Sequence, residues 1–228
     1  KMEGRAPYLA PDIWSLFPDR LDDEGKLEGW KLGSLKSFAK LNPENWSRAD
    51  YPDRINYIDL SNTKWGSVEA IVHYSGKNAP SRAQRILRPG DTVVGTVRPG
   101  NGSYALISED GLTGSTGFAV LRPMKSSFRE FVYCVATSHE NIDRLAHLAD
   151  GGAYPAVRPE LVIDTELVSA PDEIVSKFSV ATSALVDRVE ANKREVATLA
   201  ATRDLLLPKL MSGEIRVKDA ERMVERTI

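Results

Sequence analysis

Over roughly the first three quarters of the chain, apolar residues come in short alternating or continuous runs; in the last quarter they recur at intervals of three and four. Asn56-Tyr57-Ile58-Asp59-Leu60 alternates and predicts a strand. Asp91-Thr92-Val93-Val94-Gly95-Thr96-Val97 is rich in β-branched residues and predicts another, entered from the Pro89-Gly90 turn. Pro99-Gly100-Asn101-Gly102 is a turn signal, with a second strand expected over 104–107. A further strand is expected over 117–121, after a turn at Gly111–Gly114. Helices are expected over 127–138 and 140–148. Short strands, long polar loops and a few helices predict an α+β domain built on a small mixed sheet.

From Pro171 the period changes. Val175, Phe178, Leu185, Val189, Val196, Leu199, Leu206 and Leu210 fall on one seam, and Thr182, Asn192 and Arg203 fill its polar positions. That is a heptad pattern, and it predicts a long coiled-coil-forming helix. Pro171 and Asp172 suit its start, Glu173 favours the positive end of its dipole, and Pro208 and Gly213 are expected to end it. At the α-helical rise it would be on the order of 55 Å long. A seam of that length needs a second helix, from another copy or from another part of an assembly; the alternative is a helix folded back on its own domain. Asn192 on the seam would set register at some cost in stability. Ahead of the α+β region, 1–29 holds a small apolar cluster (Ile13, Trp14, Leu16, Phe17) and the acidic Asp22-Asp23-Glu24-Gly25, and reads as an arm or linker. The expected division is therefore an arm at 1–29, a domain at 30–170, a helix at 171–213 and a frayed tail at 214–228.

Charge changes the picture. With 30 basic against 32 acidic residues the formal net charge is −2, whereas a free-standing nucleic-acid binder usually carries a basic excess. Near neutrality still suits a module that reads bases while larger basic partners hold the backbone. The one cysteine, Cys134, has no partner for an intrachain disulfide, so a reducing compartment such as the cytoplasm is expected. No segment approaches the roughly 20 apolar residues of a membrane span, and no apolar core of a signal peptide follows the first charges.

Catalytic patterns are weak. Asn42-Pro43-Glu44-Asn45-Trp46 faintly resembles the Asn-Pro-Pro-aromatic site of adenine methyltransferases, but Glu44 replaces the second proline and the aromatic is displaced. Asp19 with Glu24-Gly25-Lys26 mimics a nuclease acid set at too short a spacing. Gly100-Asn101-Gly102 lacks a following helix to hold a phosphate. His73, His139 and His147 are scattered, with no ligand at metal spacing. No cofactor, metal or catalytic residue is expected.

Four stretches carry a family resemblance. They are Glu28-Gly29-Trp30-Lys31-Leu32-Gly33-Ser34-Leu35; Ile86-Leu87-Arg88-Pro89-Gly90-Asp91-Thr92-Val93-Val94 with Arg98-Pro99-Gly100-Asn101-Gly102; Gly151-Gly152-Ala153-Tyr154-Pro155-Ala156-Val157; and Arg203-Asp204-Leu205-Leu206-Leu207-Pro208-Lys209-Leu210-Met211-Ser212-Gly213-Glu214-Ile215. Together they resemble one half of a type I restriction–modification specificity subunit (HsdS): a target recognition domain followed by a spacer helix. The family usually has Pro-Pro and Gln before that helix, where this chain reads Ala170-Pro171-Asp172-Glu173-Ile174. Full-length members carry two recognition domains and two helices, so the chain resembles a half-subunit or, with a joint-like 1–29 and no initial Met, a C-terminal half.

The resemblance implies a non-catalytic DNA specificity subunit. It would read one half of a split double-stranded site, pair through its helix with a second copy or an N-terminal half, and bind adenine methyltransferase (modification) subunits and a restriction subunit. The pairing residues would be Phe178, Leu185, Val189, Asn192, Val196, Leu199 and Leu206, with Leu185, Val189, Asn192, Val196 and Leu199 acting as a ruler between half-sites. Recognition loops diverge, so DNA-contact candidates come from chemistry: Lys64, Arg82, Gln84, Arg85, Arg98, Asn101, Ser103 and Tyr104, since Arg suits guanine and Asn or Gln suits adenine in the major groove. Two other readings stay open. One is a coiled-coil scaffold whose α+β head binds another protein. The other, a DNA mimic, would need a dense acidic face, and the near balance of charge gives it little support.

Overall fold

The computed structural model describes residues 9–47, 49–149 and 155–218. Two compact units are present, Lys1–Ser183 and Ala184–Ile228.

The first unit is built on two four-stranded sheets. One orders β2 (Ala39–Leu41), β11 (Phe118–Pro123), β8 (Thr92–Gly95) and β9 (Tyr104–Leu106), with antiparallel neighbours throughout. The other orders β6 (Val72–Ser75), β3 (Arg54–Ile58), β10 (Leu112–Ser115) and β7 (Ala83–Ile86), and is mixed because β10 runs parallel to β3. A short hairpin, β4 (Thr63–Lys64) with β5 (Ser67–Val68), and a ribbon of β1 (Lys31–Ser34) with β12 (Glu166–Ser169) complete the strands. The helices are α1 (Pro11–Ser15), α2 (Arg129–Thr137), α3 (His139–Ala149), α4 (Glu160–Ile163) and α5 (Asp172–Met211).

Burial explains the continuous apolar runs of the first sheet. Val93, Phe118 and Val120 face a cluster with Ile58, Leu87, Ala105, Ile107 and Leu112. Their neighbours Val94, Ala119 and Leu121 face the opposite way, into a larger cluster with Phe38, Phe128, Val132, Ile142 and Leu145. A sheet covered on both faces has no polar side to alternate with.

An ion-pair network anchored on one buried carboxylate joins the sheets. Asp91, just before β8, is 1% exposed. Arg122, in β11, donates to it twice, from Nε to Oδ1 at 2.8 Å and from Nη2 to Oδ2 at 2.9 Å. Arg122 Nη1 also donates to Glu44 Oε1 at 2.6 Å, and Arg88 Nε donates to Glu44 Oε2 at 3.2 Å. Asn42 anchors the same segment: its side-chain oxygen accepts from the Val120 N–H at 2.9 Å. Trp46 donates from its indole to the Thr113 hydroxyl at 3.0 Å. The methyltransferase-like string at 42–46 is thus structural mortar.

Three expectations need correction. The stretch expected as the Gly111–Gly114 turn is mostly strand: Leu112, Thr113 and Gly114 pair with β3 on one side, and β7 pairs on the other. Gly114 serves there as a close-approach site, since a Cβ would lie 3.2 Å from Leu87 Cδ1. Pro208 does not end the long helix, because its carbonyl still accepts from the Ser212 N–H at 3.0 Å and α5 runs on to Met211. The expected arm is locally folded: Leu21 bridges to Leu27 around Asp22, whose Oδ1 accepts from the Lys26 N–H at 2.8 Å, and Lys177 pairs with Asp12 at 2.8 Å. Of the motif Gly151 to Val157, only 155–157 lies within the described residues, and of the expected tail only 214–218.

Two outcomes follow from the network. Arg122→Leu leaves the Asp91 charge buried and unpaired, and should destabilise by about 3–5 kcal/mol in urea denaturation. Burial works against ionising Glu44, but the hydrogen bond and charge of Arg122 and the charge of Arg88 outweigh it, holding the carboxyl below the usual carboxylate range. A carboxyl with a depressed folded pKa stabilises above its unfolded pKa, and that contribution is lost as pH falls through the folded value. The wild-type melting temperature should therefore fall on acidification more steeply than that of Glu44→Gln.

Candidate nucleic-acid interface

The sequence-derived candidates fall into two groups. Lys64, Arg98, Asn101, Ser103 and Tyr104 lie on a pair of interlocked turns. The β4–β5 hairpin turns at Trp65-Gly66, and Pro99–Asn101 forms a single 3-10 turn between β8 and β9. The Trp65 N–H donates to the Gly102 carbonyl at 2.7 Å, and the Gly66 N–H donates to Tyr104 at 2.8 Å. The second turn is tied down in its own right: the Arg98 N–H donates to the Pro155 carbonyl at 2.9 Å, and the Asn101 N–H to the Arg98 carbonyl at 2.9 Å.

The side chains of this group differ in access. Lys64, Arg98 and Asn101 are exposed. Ser103 is 6% exposed, and its hydroxyl donates to the Leu60 carbonyl at 2.9 Å; it braces the turn from within. Tyr104 is half-buried, and burial pushes its phenol pKa up. Its ring stands edge-on to Trp65 at 6.0 Å between centroids. Trp65, absent from the sequence-derived candidates, is 58% exposed.

The other group lies on β7 and at the residue just before it. Arg82 and Gln84 are exposed. The Gln84 side chain donates to the Ser81 carbonyl at 2.7 Å. Arg85 is half-buried, donates from Nη1 to Asn45 at 2.8 Å, and has a buried Nε without a hydrogen-bond partner among the described residues. Burial lowers its pKa, opposed by the charge of Glu160. Arg85 therefore braces the 44–46 segment against β7, and Arg82 is the freer cation of this group.

The pairing candidates on α5 also differ. Phe178 packs edge-on to Phe131 at 6.4 Å, in the first unit. In the second unit Leu185 is 67% and Val196 65% exposed, and Val189, Asn192 and Leu199 are exposed as well. Leu206, by contrast, is buried.

No protein-family model matches the chain. The specificity subunit of the type I restriction enzyme HindI of Haemophilus influenzae is 26% identical over 180 residues, covering 76% of this chain and 39% of that protein. The MjaIX specificity subunit of Methanocaldococcus jannaschii is 26% identical over 89 residues, covering 39% of this chain and 20% of that one. Among solved structures, a chain from a study of complex assembly and conformational transition of the type I R-M system is 27% identical with a TM-score of 0.58, covering 81% of this chain and 48% of that one. The HsdS subunit of Thermoanaerobacter tengcongensis is 27% identical with a TM-score of 0.55 at the same coverage.

This chain is similar in sequence and in fold to type I specificity subunits.

It spans about two fifths of the length of its HindI relative and about half of the HsdS chains. The small sheets and helices followed by one long helix match the target recognition domain and spacer helix of HsdS.

The interlock between the turns is directly testable. Gly102 has φ +68, and a Cβ there would lie 2.6 Å from Trp65 Cδ2. Gly102→Ala should cost about 1–2 kcal/mol from the backbone alone, read by thermal denaturation, and should shift the Trp65 emission as the ring is displaced.

Proposed function

We propose that this chain is a DNA sequence-specificity subunit, or half of one, of a type I restriction–modification system. It reads one half of a split double-stranded site and directs partner adenine methyltransferase and restriction subunits, without chemistry of its own. The observation that carries this reading is the order of parts: an HsdS-like recognition unit that leads into a 40-residue helix, whose apolar stripe from Leu185 to Leu199 is exposed. An exposed stripe at heptad spacing calls for a second helix, supplied by another copy of the chain or by an N-terminal half. The exposed donors Lys64, Arg82, Arg98 and Asn101 are the DNA contacts, with Arg and Asn suited to reading bases. Near-neutral overall charge fits a chain whose partners carry most of the backbone contacts.

The test is co-expression with the adenine methyltransferase subunit of the host, followed by methylome sequencing with and without the chain. A split adenine motif that depends on the chain supports the reading. A stable complex with no chain-dependent motif overturns it in favour of a protein–protein scaffold.

Two further outcomes are expected. The helix sets the gap between half-sites, so deleting the heptad 189–195 removes about 10.5 Å of rise and should shorten the gap by about three base pairs at about 3.4 Å each; the methylated motif reports it. Arg98→Ala should reduce the slope of log affinity against log salt by about 1 if Arg98 holds a phosphate. If it reads a base, the variant should relax the motif at one position instead.

A further inference from the structure

We propose that Trp65 is a specificity-determining residue of the DNA interface, placing an indole against the bases between the polar contacts made by Lys64, Arg98 and Asn101. The inference rests on the DNA-recognition reading above and names a residue that no donor–acceptor argument would select.

Three independent observations converge on it. The indole is large and apolar, yet 58% exposed, at the tip of a two-strand hairpin where it serves no core. Its backbone is held at φ +47, a left-handed conformation that bulky L-residues rarely adopt. Three non-glycine residues among those described have positive φ: Asn42, Trp65 and Arg98. Asn42 is accounted for by residue type and by its bond to Val120. The other two sit on the interlocked turns, and strain of this kind collects where geometry serves function. Finally, the ring is preorganised. It lies against Gly102, where a Cβ would fall 2.6–2.7 Å from the ring carbons Cδ2, Cε2 and Cε3, and Tyr104 closes its edge.

The chemistry around the indole points to nucleic acid. Lys64 adjoins Trp65 in the chain, and Arg98 and Asn101 lie on the turn whose Gly102 carbonyl accepts from the Trp65 backbone N–H. An aromatic ring among cationic and amide donors suits a polyanion with π-faced bases. Apolar side chains read the thymine methyl in the major groove or wedge between base steps in the minor groove. A ring already fixed in place loses little conformational entropy on contact.

The test uses the full chain in complex with its methyltransferase subunit, on duplexes carrying the motif found by methylome sequencing and single-base variants of it. Trp65→Gly is the informative variant, because glycine accepts the positive φ and the fold should be kept; its melting temperature should stay within a few degrees of wild type. Trp65→Phe keeps an aromatic. The expected result is at least tenfold weaker binding and a relaxed preference at one base position for Trp65→Gly, with binding largely restored in Trp65→Phe. An unchanged salt slope should accompany this, since an indole neutralises no phosphate, whereas Lys64→Ala should lower that slope. Unchanged affinity and base preference in Trp65→Gly overturns the proposal while leaving the DNA reading intact. Loss of complex assembly in Trp65→Gly overturns it in favour of a methyltransferase-docking role. If the wild-type complex prefers no duplex, the DNA reading and this inference fall together.

Discussion

Asp91 carries a charge at a position with almost no contact with water, and an isolated carboxylate there would cost several kcal/mol. Arg122 makes the position tolerable by binding both carboxylate oxygens. That single bidentate pair sets much of the geometry around it. It joins the residue before β8 to β11, so the two central strands of the first sheet are held in register by charge as well as by their backbone ladder. Through its remaining nitrogen Arg122 holds Glu44, and Glu44 holds Arg88 in the turn before Asp91. The irregular 44–46 segment is thereby placed along the free edge of β7, where its backbone bonds to Gln84 and Ile86. An edge strand that would otherwise offer unpaired N–H and C=O groups is covered. Arg82 and Gln84 emerge from that covered edge, so the ion pair sets the platform from which they are presented.

The turn pair is organised by backbone bonds and one glycine in place of charge. Gly102 admits the Trp65 ring, Ser103 turns inward to hold Leu60, and Tyr104 supports the indole from the side. Four consecutive residues, Asn101 to Tyr104, thus face solvent, face a ring, brace the interior and meet the indole edge-on. On the proposed reading, such a rigid support is what would let a few contacts discriminate between sequences.

Much of the fold was legible. β8 and β11 announced themselves as continuous apolar runs because both faces of their sheet are covered, and β9 because a Pro-Gly-Asn-Gly turn precedes it. The long helix was legible because a heptad pattern is periodic over many turns. β10 was not, because Gly111 precedes it and Gly114 lies within it, and a glycine admitted for close packing reads like one admitted for a turn. Nor was the β1–β12 ribbon, whose partners lie some 130 residues apart and carry no local signal of each other. At the candidate interface, exposed donors in a turn were readable, as with Lys64, Arg98 and Asn101. Ser103 points inward to the Leu60 carbonyl, which its place beside the turn does not announce. Trp65 is absent from the sequence-derived candidates, and its contact with Gly102 is visible only in three dimensions.

One helix carries two regimes of the same period. In the first turns of α5, Ile174, Val175 and Ser179 are buried and Phe178 packs on Phe131. From Leu185 to Leu199 the same seam is open. On the proposed reading, a partner helix docks on the open stripe of Leu185, Val189, Val196 and Leu199. Asn192 in its midst penalises any register that leaves its amide unpaired. A helix pair that measured length along DNA would need that register fixed.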